Sequence, residues 1–243
     1  MTGKALFDDW PERYDRWFET PVGKAVLHYE SELILSLLRP GKGERILDAG
    51  SGTGIFTRQF LACGAEVVGV DISPAMLRHA KKKNRPDGDP RKGGETQPAV
   101  FGGAEMPFAA VAADMVSLPF AGGSFAKTVS VAALEFIADE KRAVAEMFRV
   151  TRSGGEVVVE TLNSLSPWAI RRSAEARRDP ESIFNRAFFR SPAQLLAAAP
   201  VPGIVRTVIH FDKEDDPATF DRSEREGEES ETGAFVAARW QKP

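Results

Sequence analysis

Two carboxylates and three glycines along one short stretch carry the clearest chemical signal in the chain. Leu47 to Asp71 reads LDAGSGTGIFTRQFLACGAEVVGVD. An apolar run ends at Asp48, and Gly50, Ser51, Gly52 and Gly54 lead into an amphipathic segment. Glycine lacks a Cβ, so such a turn can take up positive φ and admit a ligand against bare main chain. The helix that follows presents unpaired N–H groups at its start. A second apolar run closes on Asp71, 21 residues after Gly50. In open α/β sheets ligands sit beyond the carboxyl ends of the strands, so the turn and Asp71 face one crevice. A carboxylate there accepts hydrogen bonds from ribose hydroxyls. A glycine turn alone closes many βα units without a ligand; the flanking acids are what mark this one as a nucleoside site.

Dinucleotide-binding turns follow G-x-G-x-x-G, the third glycine permitting close helix packing. Counted from Gly50, that third position is Ile55, and the pattern here is G-x-G-x-G. Asp48 would repel a pyrophosphate, whereas it suits a ligand ending in a cationic amino acid. An NAD(P)-dependent oxidoreductase is therefore the weaker alternative.

The elements around this turn alternate. Residues 1–40 read as amphipathic helix, with Trp10, Tyr14, Trp17 and Phe18 at helical spacing and a second apolar stripe from Val22 to Leu38. ERILDAG, AEVVGVDIS, FAAVAAD, SFAKTVSV and GGEVVVETLN read as strands, and helices lie between them; Ser73 and Pro74 are a cap and first turn. Two late β-runs, GIVRTVIHF and GAFVAARWQ, meet without an obvious helix between them. Alternation implies an α/β fold with a mostly parallel sheet and helices on both faces, and the last pair implies one antiparallel edge strand. Two segments read as surface loops. Residues 84–98 are rich in Pro and Gly, and the stretch 212–233 carries ten acids against Lys213, Arg222 and Arg225.

Composition narrows the function classes. The formal net charge of −3 over 243 residues offers no basic surplus for a nucleic-acid partner. Cys63 is the only cysteine, which excludes an internal disulfide and a thiolate zinc site, and its surroundings predict a buried, inert thiol. No apolar run reaches the length of a membrane span, and the acidic, aromatic N-terminus is unlike a signal peptide, so a cytoplasmic monomer or homodimer is expected.

In ordered succession, LDAGSGTG, VVGVDISPAML, ADMVSLPFAGGSF and EMFRVTRSGGEVVVETLN resemble the motifs of the class I S-adenosylmethionine-dependent methyltransferases. The likeness is strongest to the broad type-11 group that includes the ubiquinone/menaquinone-biosynthesis C-methyltransferases, and it spans roughly residues 45–163. It implies a Rossmann-like methyltransferase fold with a seven-stranded sheet, a helical lid and substrate segment over 1–40, a catalytic domain over 41–243, and S-adenosylmethionine as cofactor. By the same resemblance Asp48, Gly50, Ser51 and Gly52 line the methionine end, and Asp71 holds the ribose. Ile72 packs on the adenine, Asp114 bonds its amino group, Met115 covers the ring, and Tyr14 belongs to the lid. Ala126 stands where the family usually has aspartate after SF, and Glu105 in AEMPF rivals Asp114.

Methyl transfer requires alignment of acceptor, methyl and sulfur and exclusion of water, with no metal and no covalent enzyme intermediate. A small-molecule acceptor is expected, against the alternative of a non-catalytic cofactor-binding or regulatory protein. Should the acceptor have to lose a proton, His28, Glu30 and Glu135 are the candidate bases. His79 reads as solvated and His210 as structural. Trp10, Trp17, Phe18, Trp168, Phe184, Phe188 and Phe189 are candidates for an apolar pocket wall.

Overall fold

The structure is a computed structural model that describes residues 5–84 and 108–243. Seven strands form one sheet in the order β3-β2-β1-β4-β5-β7-β6. They are β1 (Arg45–Ala49), β2 (Glu66–Asp71), β3 (Phe108–Ala112), β4 (Phe125–Ser130), β5 (Thr151–Leu162), β6 (Gly203–Val208) and β7 (Phe235–Gln241). Strands β1 to β5 pair in parallel, while β7 runs antiparallel to both β5 and β6. The single reversed strand thus lies one place in from the edge. A long crossover carries β6 out to the edge first, and β7 returns in the remaining gap.

Alternation along the strands fills a core on each face. Ile46, Val129 and Val158 point to the side covered by α1 (Pro11–Glu19), α2 (Pro21–Leu38), α3 (Thr57–Ala62) and α6 (Pro167–Ala176). Leu47, Val157 and Val159 point to the side holding Met76 and Leu77 of α4 (Pro74–Lys83), Met147 of α5 (Glu140–Val150) and Leu195 of α7 (Pro192–Leu196). Thr20 ends α1 in extended conformation and its hydroxyl caps α2 by accepting from Gly23 N, which sets the bend between the first two helices.

The acidic stretch is not a plain loop: it contains α8 (Phe220–Gly227). Phe220 is buried and stacks on Phe211 with ring centroids 3.8 Å apart, and the Glu224 carboxylate accepts from the backbone N–H groups of Ile209 and His210. One aromatic anchor and one capping acid order a segment whose charge alone predicts a solvated loop. Cys63 is likewise displaced from expectation. It caps the end of α3 on the surface, where the positive-φ turn at Gly64 begins one residue later. Residues 85–98 of the Pro/Gly-rich stretch, and Glu105, lie outside the described residues. None of the described helices is long and apolar enough to cross a membrane.

Candidate active site

The glycine turn is built by backbone conformations that side chains disfavour. Gly50, Gly52 and Gly54 have φ of 82°, 53° and 76°. Gly50 N and Ser51 N both donate to Val70 O, at 2.7 and 2.9 Å, which stitches the turn to the end of β2. Asp71 completes the join: Oδ2 accepts from Gly52 N at 2.9 Å and Oδ1 from Ser73 N at 2.8 Å. Each glycine has its own duty. A Cβ on Gly50 would lie 2.3 Å from the Ala133 Cβ, and one on Gly54 would strike Asn84 Nδ2 at 2.5 Å. A Cβ on Gly52 would meet no protein atom within 4 Å, so the space beside it belongs to the cleft. The helix α3 starts only at Thr57, so the bend is longer than the sequence pattern implies.

A single cavity of about 880 Å³ runs from this turn to the N-terminal helices. The structure brings Tyr14, Asp48, Gly50, Ser51, Gly52, Asp71, Ile72, Asp114 and Met115 to its wall. Asp48 is buried, and its Oδ2 accepts from the Thr57 hydroxyl at 2.5 Å. Burial, with Asp71 nearby, pushes its carboxyl up to about 7 against the effect of that bond. Ile72 is exposed at the mouth, Met115 is buried opposite, and Asp114 is exposed with Oδ1 accepting from Val116 N.

Away from the turn the wall changes character. Trp10, Trp17, Phe18 and Phe184 line it; Trp168 lies beneath it in the core, Phe188 faces solvent, and Phe189 packs against the core. Glu30 and Glu135, two of the three candidate bases, are buried and reach the cavity. His28 does not: it is exposed on the far side of α2, where it pairs with Glu32 at 3.6 Å. Two helical positions separate His28 from Glu30, which turns them to different faces. Glu160, which no motif singles out, is fully buried on β5, where its Oε2 accepts from Ala132 N and its carboxyl interacts electrostatically with Glu30. Burial raises both carboxyls from their ordinary values, and Glu30 and Glu135 raise Glu160 further. An acid inside the apolar run VVVETL was the available signal. Glu135 is pushed up to about 7 by burial, against its bond from the Thr161 hydroxyl at 3.1 Å. The Tyr14 phenol is held well above its ordinary value by burial and by Glu30, Glu135, Glu160 and Asp15, so it remains a donor.

Helix α1 is fastened by groups that lie far apart in the sequence. Asp15 on α1 accepts from the Thr53 hydroxyl in the glycine turn at 2.7 Å, and pairs with Lys83 at 2.5 Å and His79 at 3.1 Å. His79 is therefore engaged, not solvated, because α1 crosses α4 on that face. His210 keeps a structural role, bonded to Glu224 and Thr207. The Asp15→Ala variant is expected to raise acrylamide quenching of Trp10 and Trp17 while shifting the main unfolding transition by about 1 kcal/mol or less, since these pairs are partly exposed. Unchanged quenching would show that the latch does not hold α1.

Comparison with known proteins agrees with the motif order. Residues 47–159 match the family Methyltransf_11, described as a methyltransferase domain. The chain is 30% identical over 155 residues to the demethylmenaquinone methyltransferase of Renibacterium salmoninarum, covering 64% of this chain and 56% of that protein. It is 34% identical over 131 residues to the malonyl-[acyl-carrier protein] O-methyltransferase of Erwinia pyrifoliae, covering 54% and 42%. The chain thus spans about half the length of the curated relatives it matches. In three dimensions it is similar to a SAM-dependent methyltransferase of Thermotoga maritima, with a TM-score of 0.69 at 20% identity over 98% of this chain and 99% of that one, a likeness of fold. Motif order, the match over residues 47–159 and the sequence relatives thus agree on a likeness to the methyltransferase-domain family of the type-11 group, and the sheet topology agrees with that fold.

Proposed function

We propose that the protein transfers a methyl group from S-adenosylmethionine to a small-molecule acceptor by in-line displacement. The observation that carries this reading is the continuity of the cavity, which joins the glycine turn and Asp71 at one end to the aromatic and acidic wall at the other. The residues present fit the cofactor. The open space beside Gly52 receives a ligand without displacing protein, and the buried Asp48 carboxyl lacks a cationic neighbour of its own among the described residues. When bound, S-adenosylmethionine supplies an electrophilic methyl on a sulfonium.

In this reading Asp48 holds the α-ammonium, and the main chain of Gly50, Ser51 and Gly52 borders the amino-acid end. Asp71 accepts from the ribose hydroxyls; Ile72 and Met115 bracket the adenine, and Asp114 accepts from its amino group. Tyr14 and the α1 segment cover the cleft and exclude water. Glu135, or the Glu30–Glu160 pair, takes the acceptor's proton where one must leave, since carboxyls raised toward neutrality are matched to that task. The segments over 1–40 serve as lid and acceptor wall in this scheme.

Calorimetry with S-adenosylmethionine and S-adenosylhomocysteine, followed by labelled-methyl transfer to a panel of quinols, thiols and fatty acids, tests the reading. Absence of cofactor binding would overturn it, and binding with no transfer to any acceptor would favour a non-catalytic role. The free Asp48 carboxyl titrates near 7 and must ionise to meet an ammonium, so affinity is expected to rise with pH. The slope approaches about tenfold per pH unit below about pH 6, falls through pH 7 and flattens above. Asp48→Asn should remove the slope; a slope that survives would assign the titration elsewhere.

A further inference from the structure

The cavity wall holds two cations that form no ion pair among the described residues. Arg172, on α6, is 9% exposed and lines the cavity. Its Nη1 is buried without a hydrogen-bond partner. Its guanidinium is wedged among three rings, with Cζ 5.1 Å from the centroids of Trp168 and Phe184 and 5.8 Å from that of Phe235. Lys213 also lines the cavity, with Nζ 5.1 Å from the Trp168 centroid. Trp168 is itself fixed by donating Nε1–H to Phe211 O at 2.9 Å, so the platform under both cations is rigid. The acidic segment beside them is spent elsewhere: Asp212 and Glu214 engage Arg171, one residue before Arg172. The Arg172 guanidinium and the Lys213 ammonium have no ion-pair partner among the described residues.

An unpaired buried guanidinium costs several kcal/mol unless something bonds it, and cation–π contact with the rings offsets only part of that cost. We infer that Arg172 and Lys213 form an oxyanion subsite for the methyl acceptor, selecting an apolar molecule that carries a carboxylate or phosphate. The inference rests on the methyltransferase reading and names its acceptor class. Arg172 supplies the buried fork of donors that suits an oxyanion, Lys213 adds a second charge at the partly exposed edge, and Trp10, Trp17, Phe18 and Phe184 take the apolar body. Glu30, Glu135, Glu160 and Glu175 also face Arg172 electrostatically, but none is paired with it. Burial holds Glu30, Glu135 and Glu160 toward their neutral forms, which leaves the cationic charge available. Burial lowers both cations from their ordinary values, and the Arg172 charge adds to the lowering of Lys213; a bound oxyanion would offset that loss of solvation.

Four probes sharing one tail separate the possibilities: octanoate, octyl phosphate, octanol and octylamine, each titrated by calorimetry with and without saturating S-adenosylhomocysteine. Octanoate and octyl phosphate are expected to bind about tenfold more tightly than the other two. The tighter of the pair identifies the oxyanion. Arg172→Met should bring all four level, and Lys213→Met should narrow the gap, while both variants retain the wild-type affinity for S-adenosylhomocysteine, which also reports that they fold. The subsite is overturned if octylamine or octanol matches the anions, if none of the four binds, or if Arg172→Met keeps the preference. Failure of S-adenosylhomocysteine to bind the wild type would instead sink the cofactor reading, and the probe series without cofactor still scores the subsite.

Discussion

Asp71→Ala is expected to weaken S-adenosylhomocysteine binding about a hundredfold, measured by calorimetry at pH 7.5. The carboxylate does two things at once. It holds Gly52 N and Ser73 N, fixing the turn against the end of β2, and it faces the cavity where a ribose would lie. Hydrogen bonds to a charged acceptor contribute about 1.5–3 kcal/mol each, so losing the ribose contacts alone accounts for most of the effect. Asp71→Asn provides the graded control. One amide oxygen remains as an acceptor, but its NH₂ must face either Gly52 N–H or Ser73 N–H, so an intermediate loss is expected. The fold should persist in both variants, because β2 keeps its register with β1 and β3 through main-chain bonds. A loss of less than threefold in Asp71→Ala would remove this residue from the cofactor site.

Gly50→Ala and Gly52→Ala should fail in opposite ways, although they are two residues apart in one turn. At Gly50 the new methyl would sit 2.3 Å from the Ala133 Cβ, in a backbone with φ of 82°. Left-handed strain and overpacking together give about 2–4 kcal/mol of destabilisation, read as a lowered urea midpoint. Displacing Ala133 also disturbs the segment leading to Glu135, so activity should fall with stability. At Gly52 the strain alone costs about 1 kcal/mol, because nothing of the protein stands in the way. There the methyl takes up cleft space, and cofactor affinity is lost from a protein that remains folded. Equal destabilisation by the two substitutions would mean that the cleft beside Gly52 is not where the ligand sits.

The sequence by itself determined those parts of the protein that depend on near neighbours. Short apolar runs predict β1, β2, β4 and β5, clustered glycines predict the turn, and the spacing from Gly50 to Asp71 follows from one helix and one strand of ordinary length. The methyltransferase motifs are legible for the same reason, since each spans a strand end and the bend after it.

Tertiary structure decided what depends on which surfaces meet. Glu30 and Glu160 lie on α2 and β5, and their carboxyls are held toward neutrality only because that helix packs on that strand. Asp15 reaches Thr53, His79 and Lys83 through the packing of α1 over α4. His28 and Cys63 were turned outward by helix phase and by the position of a turn, and the acidic stretch was ordered by Phe220 and Glu224 finding partners across the chain. Arg172 looks in the sequence like any basic residue of the run RRSAEARR, and only burial among three rings distinguishes it from Arg171 beside it. Backbone propensity and periodicity are short-range quantities, whereas desolvation and charge pairing are set by groups distant in sequence, which is why the cofactor end could be read from residue order and the acceptor end could not.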